Sequence, residues 1–383
     1  METGGTAAIA RRNNFDTLRF LAALSVIFSH AFLIAQGTTA NEPLNLLTGN
    51  QCMLGLAGVF VFFAISGFLV TQSFEQTRGP WRYLAKRCLR IFPAFIVILV
   101  LTAFVLGPVV TTLPLGDYVR RPEPYWYVFN NIVFSLKTHE LPGVLFVDNP
   151  VGLEVNGSLW SLGYEFEMYL MVFALGLLRL INLPVCLALL AIGVASNYLD
   201  LFGFLAWTGF DWAGWGWMLA YFAAGMVVYK LRNKRFLLDY RVALLAVAGL
   251  AASIVFRQFI AWFSLFGCYL ALYLALHPRL PVIPAARFGD LSYGLYIYGW
   301  PSEQLVIWLM RGHAAWWQVF VLASLLAGFF AFLSWHLIEK RALRLKPSAG
   351  TWRGAGLQLG REPWPPKSPS AATSPSNTPR LSG

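Results

Sequence analysis

FDTLRFLAALSVIFSHAFLIAQ, residues 15–36, is a largely apolar run interrupted by three ionisable side chains, Asp16, Arg19 and His30. About 20 such residues cross the hydrocarbon core of a bilayer as one helix, so this stretch reads as a membrane span and points to a membrane fold for the whole chain. LGLAGVFVFFAISGFLV at 54–70 repeats the pattern without any charge. The 383 residues are 57% hydrophobic, 16% aromatic and only 12% charged, against about 25% charged for a soluble domain. Composition therefore excludes an ordinary water-soluble fold.

At roughly 20 residues per span, the sequence predicts an all-α polytopic membrane protein with ten helices in one bundle. They fall at about 15–36, 52–73, 91–111, 158–180, 183–201, 213–231, 240–257, 259–276, 291–310 and 316–338. Only Arg257 and Gln258 separate the seventh from the eighth. The net charge of +11 raises the question of nucleic acid, but the basic residues mark topology instead. With the N-terminus in the cytosol, 23 of the 29 Lys and Arg fall on the cytosolic side. These are Arg11 and Arg12, the cluster from Arg78 to Arg90, Arg179, the cluster from Lys230 to Arg241, Arg279 and Arg287, and those after Glu339. Five lie outside (Arg120, Arg121, Lys137, Arg257 and Arg311) and Arg19 lies within a span. Both termini are thus expected in the cytosol, with no nucleic-acid partner.

Residues 1–14 have no small-residue cleavage site after a short apolar core, which argues against a removable signal peptide. The connection at about 112–157 is the long external loop, and its Tyr125, Trp126 and Tyr127 suit a membrane interface. From 347 to 383 the chain is rich in Pro, Ser, Thr and Gly and is read as a disordered cytosolic tail. The domain organisation is then a cytosolic segment at 1–14, a transmembrane domain at 15–346 and that tail. Cys52, Cys88, Cys186 and Cys268 form neither a CxxC pair nor a metal-like cluster with histidine, so no metal is expected. No repeat of 20–50 residues is apparent.

Ionisable groups inside a membrane are costly and face a bundle interior, so each marks a possible site. Asp16, Arg19 and His30 are spaced by three and eleven residues and share one helix face. His30 lies roughly 22 Å along the helix, towards the outer leaflet, while Arg19 stays near the cytosol. An interfacial ion pair is the bland reading of Asp16 with Arg19, and a packing residue is the bland reading of His30. NGSLWSLGYEFEMY at 156–169 carries Glu165 and Glu167, two apart and so on nearly opposite faces. Rotation alone does not choose between them; Glu165 and His30 come out at similar depth. WRYLAKRCLRIFPAF at 81–95 puts Arg87 and Arg90 on one face at the cytosolic end of the third span. Two guanidinium forks match phosphate oxygens; the bland reading is topogenic charge or lipid headgroup contact.

These motifs together resemble the membrane-bound acyltransferase 3 family. FDTLRFLAALSVIFSH at 15–30 looks like its opening motif, with Arg19 and His30 in the family's arginine and histidine positions. GVFVFFAISGFLV at 58–70 resembles its second span, RCLRIFP at 87–93 its RxxR element, and SLWSLGYEFEMY at 158–169 its SLWxLxxExxxY motif. That match assigns Glu165 to the family acid and Trp160 and Tyr169 to its aromatics. LSYGLYIYGWP at 291–301 resembles the late SYxxYLxHxP span and SWHLIEKRALRLK at 334–346 the final helix. One departure is visible, Gly299 standing where a histidine often precedes the late proline. An SGNH domain of the kind some members carry is not expected here. Gly289-Asp290-Leu291-Ser292 differs in order from a GDSL nucleophile site and opens a span, so it is set aside.

The resemblance implies transfer of an acyl group, acetyl above all, from cytosolic acyl-CoA to a hydroxyl of an envelope or extracellular carbohydrate, at a bacterial inner membrane. It places His30, Glu165 and Arg19 at the reaction, Arg87 and Arg90 on the phosphates of acyl-CoA, and Asp16, Trp160 and Tyr169 at the substrate. His30 is expected as general base with Glu165 orienting it, or as the carrier of an acyl-histidine, the direct route being preferred. A proton-coupled transporter or flippase using Asp16, His30 and Glu165 as a relay is the rival reading, and a non-catalytic scaffold a second.

Overall fold

The computed structural model describes residues 13–346 apart from 135–139, 144–145, 147–148, 153, 209–210, 283–286 and 288. The expected tail and nearly all of the N-terminal segment lie outside the described residues. Among the described residues the chain is helices and connections, with no strand. The principal helices are α1 (Phe15–Gln36), α2 (Leu54–Gln76), α3 (Pro80–Val110), α4 (Trp160–Leu177), α5 (Leu183–Ala195), α6 (Trp212–Leu231), α7 (Tyr240–Val255), α8 (Phe259–Leu276), α9 (Ser292–Leu309) and α10 (Trp316–Arg344). Each predicted range holds a helix.

Five of them, α1, α2, α3, α8 and α10, are long and apolar enough to cross a membrane. α5 and α7 are apolar but shorter. α4, α6 and α9 are diluted by tyrosine, tryptophan, glycine or acids. Long stretches of α6 and α9 are buried, so these helices meet protein rather than lipid. Conversely, Leu244, Leu245, Leu325 and Phe329 stand exposed on α7 and α10, as expected where hydrocarbon is the solvent. The chain is a multi-pass membrane protein.

α1 packs against α2, α9 and α10, while α2 packs against α6 and α6 against α5. Small residues allow these approaches. A Cβ on Gly67 of α2 would lie 1.9 Å from the Phe222 carbonyl oxygen, and one on Gly225 of α6 would lie 2.0 Å from that of Ala64. Backbone meets backbone there. Gly67→Ala is therefore expected to destabilise the bundle by about 1–3 kcal/mol, seen as a lower melting midpoint in detergent; an unchanged midpoint would contradict the crossing.

Several boundaries differ from expectation for local reasons. α3 starts at Pro80, eleven residues before the predicted 91, because a proline at a first helical position costs no hydrogen bond. Arg87 and Arg90 thus sit inside a helix. Arg257 takes a left-handed conformation (φ 54°) and Gln258 N donates to Ser253 O at 2.8 Å, closing α7 and separating it from α8. α3 and α10 each contain a π-helical turn, Thr102–Leu106 and Trp335–Glu339. Pro301 removes an N–H inside α9 and frees the Ile297 carbonyl, which instead accepts from Asn156 Nδ2 at 3.0 Å. That bond ties the residue opening the SLW motif to α9. In the loop, Tyr125 and Trp126 are exposed as expected for an interface, whereas Tyr127 is buried, contrary to that expectation.

Candidate active site

A cavity of about 300 Å³ lies at the end of the bundle where Arg87, Arg90 and Lys346 converge. This is the basic end. Five cations line it (Arg19, Lys86, Arg87, Arg90 and Lys346) against two carboxylates, Glu165 and Asp290. Arg19 comes from the first turns of α1, Lys86, Arg87 and Arg90 from the early turns of α3, and Lys346 from just beyond α10.

The two arginines of the RxxR element have different surroundings. Arg90 donates to Asp290 at 2.5 Å and to Glu339 at 3.5 Å, with the Tyr293 ring beneath it. Glu339 is held in turn by Ser334 Oγ at 3.1 Å, and it comes off the π-helical turn of α10. Asp290 lies just outside α9. Burial pushes its carboxyl up, but the Arg90 and Arg19 guanidiniums and the Ser292 hydroxyl and amide outweigh burial and hold it at about 2. Arg90 is therefore neutralised by protein. Among the described residues Arg87 donates only to Ser73 Oγ, at 3.2 Å, lies near the rings of Tyr83 and Tyr169, and has a buried Nε without a partner. Lys346 is pushed below the ordinary lysine range by burial and by the neighbouring charges of Arg87, Arg90 and Lys86. Of these cations only Arg90 is ion-paired among the described residues, and the surplus of positive charge has the pattern of an anion-binding site.

Deeper in the cavity, Glu165 Oε1 accepts from Ser66 Oγ at 2.7 Å and from Tyr169 OH at 2.5 Å. Its other oxygen carries no hydrogen bond from the described residues. Ser161 and Tyr296 share a hydrogen bond of 2.7 Å at the same depth of α4 and α9. Of the sequence-predicted residues, Arg19, Arg87, Arg90, Glu165 and Tyr169 come together here. Trp160 does not line the cavity; it packs edge-on against Tyr164. Asp16 is exposed on the first turn of α1 and does not line the cavity, although it is within electrostatic reach of Asp290, Arg19 and Arg90. Glu167 faces away from Glu165 and has a buried, unpartnered Oε2.

His30 stands apart from this group, eleven residues or about 16 Å along α1 from Arg19. Its Nδ1 lies 3.6 Å from Glu303 Oε2, and its ring meets Trp300 edge-on with centroids 4.8 Å apart. The expectation that Glu165 orients His30 is thereby corrected: the carboxylate within ion-pair distance of the imidazole is Glu303, from α9. Glu165 is committed to Ser66 and Tyr169. The imidazole points into the bundle, and its side chain keeps 13% of its surface accessible although Nδ1 is fully covered. Sequence reasoning missed Glu303, Asp290, Glu339, Lys86 and Lys346. The first was within reach, because Glu303 is an ionisable residue inside a predicted span, the same signal that singled out His30.

An acyltransferase domain model of the acyltransferase 3 family matches residues 12–339, nearly the whole described chain. The chain belongs to this family. It is an enzyme that transfers acyl groups other than amino-acyl groups. It is 27% identical over 349 residues to an O-acetyl transferase of Shigella phage Sf6, covering 87% of this chain and 96% of the relative. Nodulation protein 10 of Rhizobium leguminosarum bv. viciae is 29% identical over 364 residues, covering 88% and 95%. A putative membrane-bound transacylase, BcsY, of Komagataeibacter xylinus is 24% identical over 385 residues, covering 91% and 88%. No solved structure matches the chain.

Proposed function

We propose that this acyltransferase takes an acetyl group from cytosolic acetyl-CoA and delivers it to a hydroxyl of an envelope or extracellular carbohydrate at a bacterial inner membrane. The observation that carries the reading is the cavity at the basic end, where, among the described residues, Arg19, Lys86, Arg87 and Lys346 have no carboxylate within ion-pair distance and Arg19 alone feels Asp290 and Asp16 at longer range. Those four fit the phosphates of a coenzyme A thioester, with Arg90 shaping the wall through Asp290 and Glu339. In this reading that end faces the cytosol, both termini lie on the same side and ten spans run between 15 and 346, which the excess of Lys and Arg at that end supports.

The thioester arm runs from the basic end past Arg19 towards His30. His30 is the general base: it takes the proton of the acceptor hydroxyl as the oxygen attacks the thioester carbonyl. The carbon–sulfur bond then breaks, the ester forms on the sugar, and the thiolate leaves protonated. Glu165, joined to Tyr169 and Ser66, stands on the donor side of that path.

Mass spectrometry of envelope glycans from cells with and without the gene tests the reading. The expected result is one acetyl mass shift that disappears on deletion and returns with the wild-type gene. Identical glycan masses in the two strains would overturn it.

A further inference from the structure

Glu303 poses a thermodynamic problem. It is fully buried on α9, and neither carboxylate oxygen has a hydrogen bond from the described residues. A carboxyl group left so in an apolar interior costs several kcal/mol, whether through desolvation of its charge or through holding a proton. A glutamine of equal size would cost less. The group nearest to it with matching chemistry is the His30 imidazole, whose Nδ1 is buried and equally unpartnered. Two costly groups thus face each other across the α1–α9 contact.

The surroundings hold this pair in place. Trp300, edge-on to His30, is fixed by its Nε1 donating to Glu154 O at 2.9 Å. Gln304, the residue after Glu303, donates to Val151 O at 2.7 Å and Glu154 O at 3.0 Å and accepts from Asn149 Nδ2 at 2.9 Å. The loop before the SLW motif is thereby clamped over this end of α9. Gly299 lies one helical turn before Glu303 on the same face; a Cβ there would meet Ile27 Cγ1 at 2.9 Å, one turn before His30 on α1. The α9 face that abuts α1 at Ile27 thus presents Glu303 to His30 at its next turn.

From this geometry we infer that Glu303 is the positioning residue of His30, holding the imidazole in the tautomer that carries its proton on Nδ1 and leaves Nε2 free to accept one. The inference rests on the proposed role of His30 and adds its partner. During transfer the proton leaves the acceptor hydroxyl for Nε2, and the carboxylate at Nδ1 stabilises the imidazolium that forms. The 3.6 Å separation shortens when that charge appears, as catalytic contacts do on leaving the resting state.

The test uses the full chain in native membranes, with acetyl-CoA as donor and release of free thiol as the readout. Glu303→Gln is expected to lower the maximal rate at least tenfold, to leave the acetyl-CoA concentration for half-maximal rate within about twofold, and to keep or raise the melting midpoint in detergent. Glu303→Asp, which keeps the charge, is expected to retain more activity than Glu303→Gln. A structural role gives a different pattern, with rate and melting midpoint falling together. That pattern, or a Glu303→Gln chain at the wild-type rate, overturns the inference while His30→Ala remains inactive. Full activity in His30→Ala overturns the parent reading as well.

Discussion

His30→Ala is expected to reduce acyl transfer by about 10²–10⁴-fold, the usual contribution of a positioned general base, while the chain still inserts. The structure explains why folding survives. The imidazole makes no hydrogen bond through Nδ1 with the described residues and meets its surroundings through an edge-on contact with Trp300 and an approach of 3.6 Å to the Glu303 carboxyl group. Removing it leaves a small void beside Trp300 and a carboxyl group on Glu303 that can hold a proton instead. Thiol release from acetyl-CoA, the glycan mass shift and a monodisperse elution profile in detergent together check the result. A variant that folds and turns over at a substantial fraction of the wild-type rate would remove His30 from the chemistry. The direct route adds a second expectation: wild-type chain incubated with acetyl-CoA alone yields no acetylated His30 peptide, and finding one would favour the acyl-histidine route.

The separation of His30 from the basic cavity also shows where the sequence was legible. Hydropathy located a helix in each of ten ranges because lipid-facing side chains must be apolar, and α1, α2 and α8 begin and end within a few residues of their predicted bounds. Polar placement along one helix was equally readable, since the positions of Asp16, Arg19 and His30 come from rise and rotation alone. Pairing between helices was not. Depth gave His30 and Glu165 as neighbours, but depth says nothing about which faces meet. α1 turns His30 to α9, whereas α4 turns Glu165 to Ser66 of α2. The motif resemblance likewise marked Arg87 and Arg90 alike. Their difference arises from Asp290 and Glu339, which lie 200 and 249 residues away in sequence and reach Arg90 only through the packing of α9 and α10.

That difference makes the two arginines separable by experiment. Arg87→Ala is expected to raise the acetyl-CoA concentration for half-maximal rate by roughly tenfold or more, the loss of one charge-assisted phosphate contact being worth about 1.5–3 kcal/mol. Its stability should hardly change, because Arg87 gives up only the bond to Ser73 and two distant ring contacts. Arg90→Ala should behave in the opposite way. It strands Asp290 and the nearly buried Glu339 without their cation, at a cost on the order of 3 kcal/mol, discounted because Arg90 and Asp290 each keep about a fifth of their surface. The melting midpoint falls, and donor affinity falls only as far as the wall formed by α3, α9 and α10 loosens. Asp290→Asn with Glu339→Gln in the Arg90→Ala background then recovers part of the lost stability, since no carboxylate is left unpaired. Melting curves and donor titrations on the wild-type chain and these three variants separate the roles. Equal loss of donor affinity at both arginines with unchanged melting would show that Arg90 leaves its carboxylates to bind phosphate, and the assignment of Arg90 to the wall would fall.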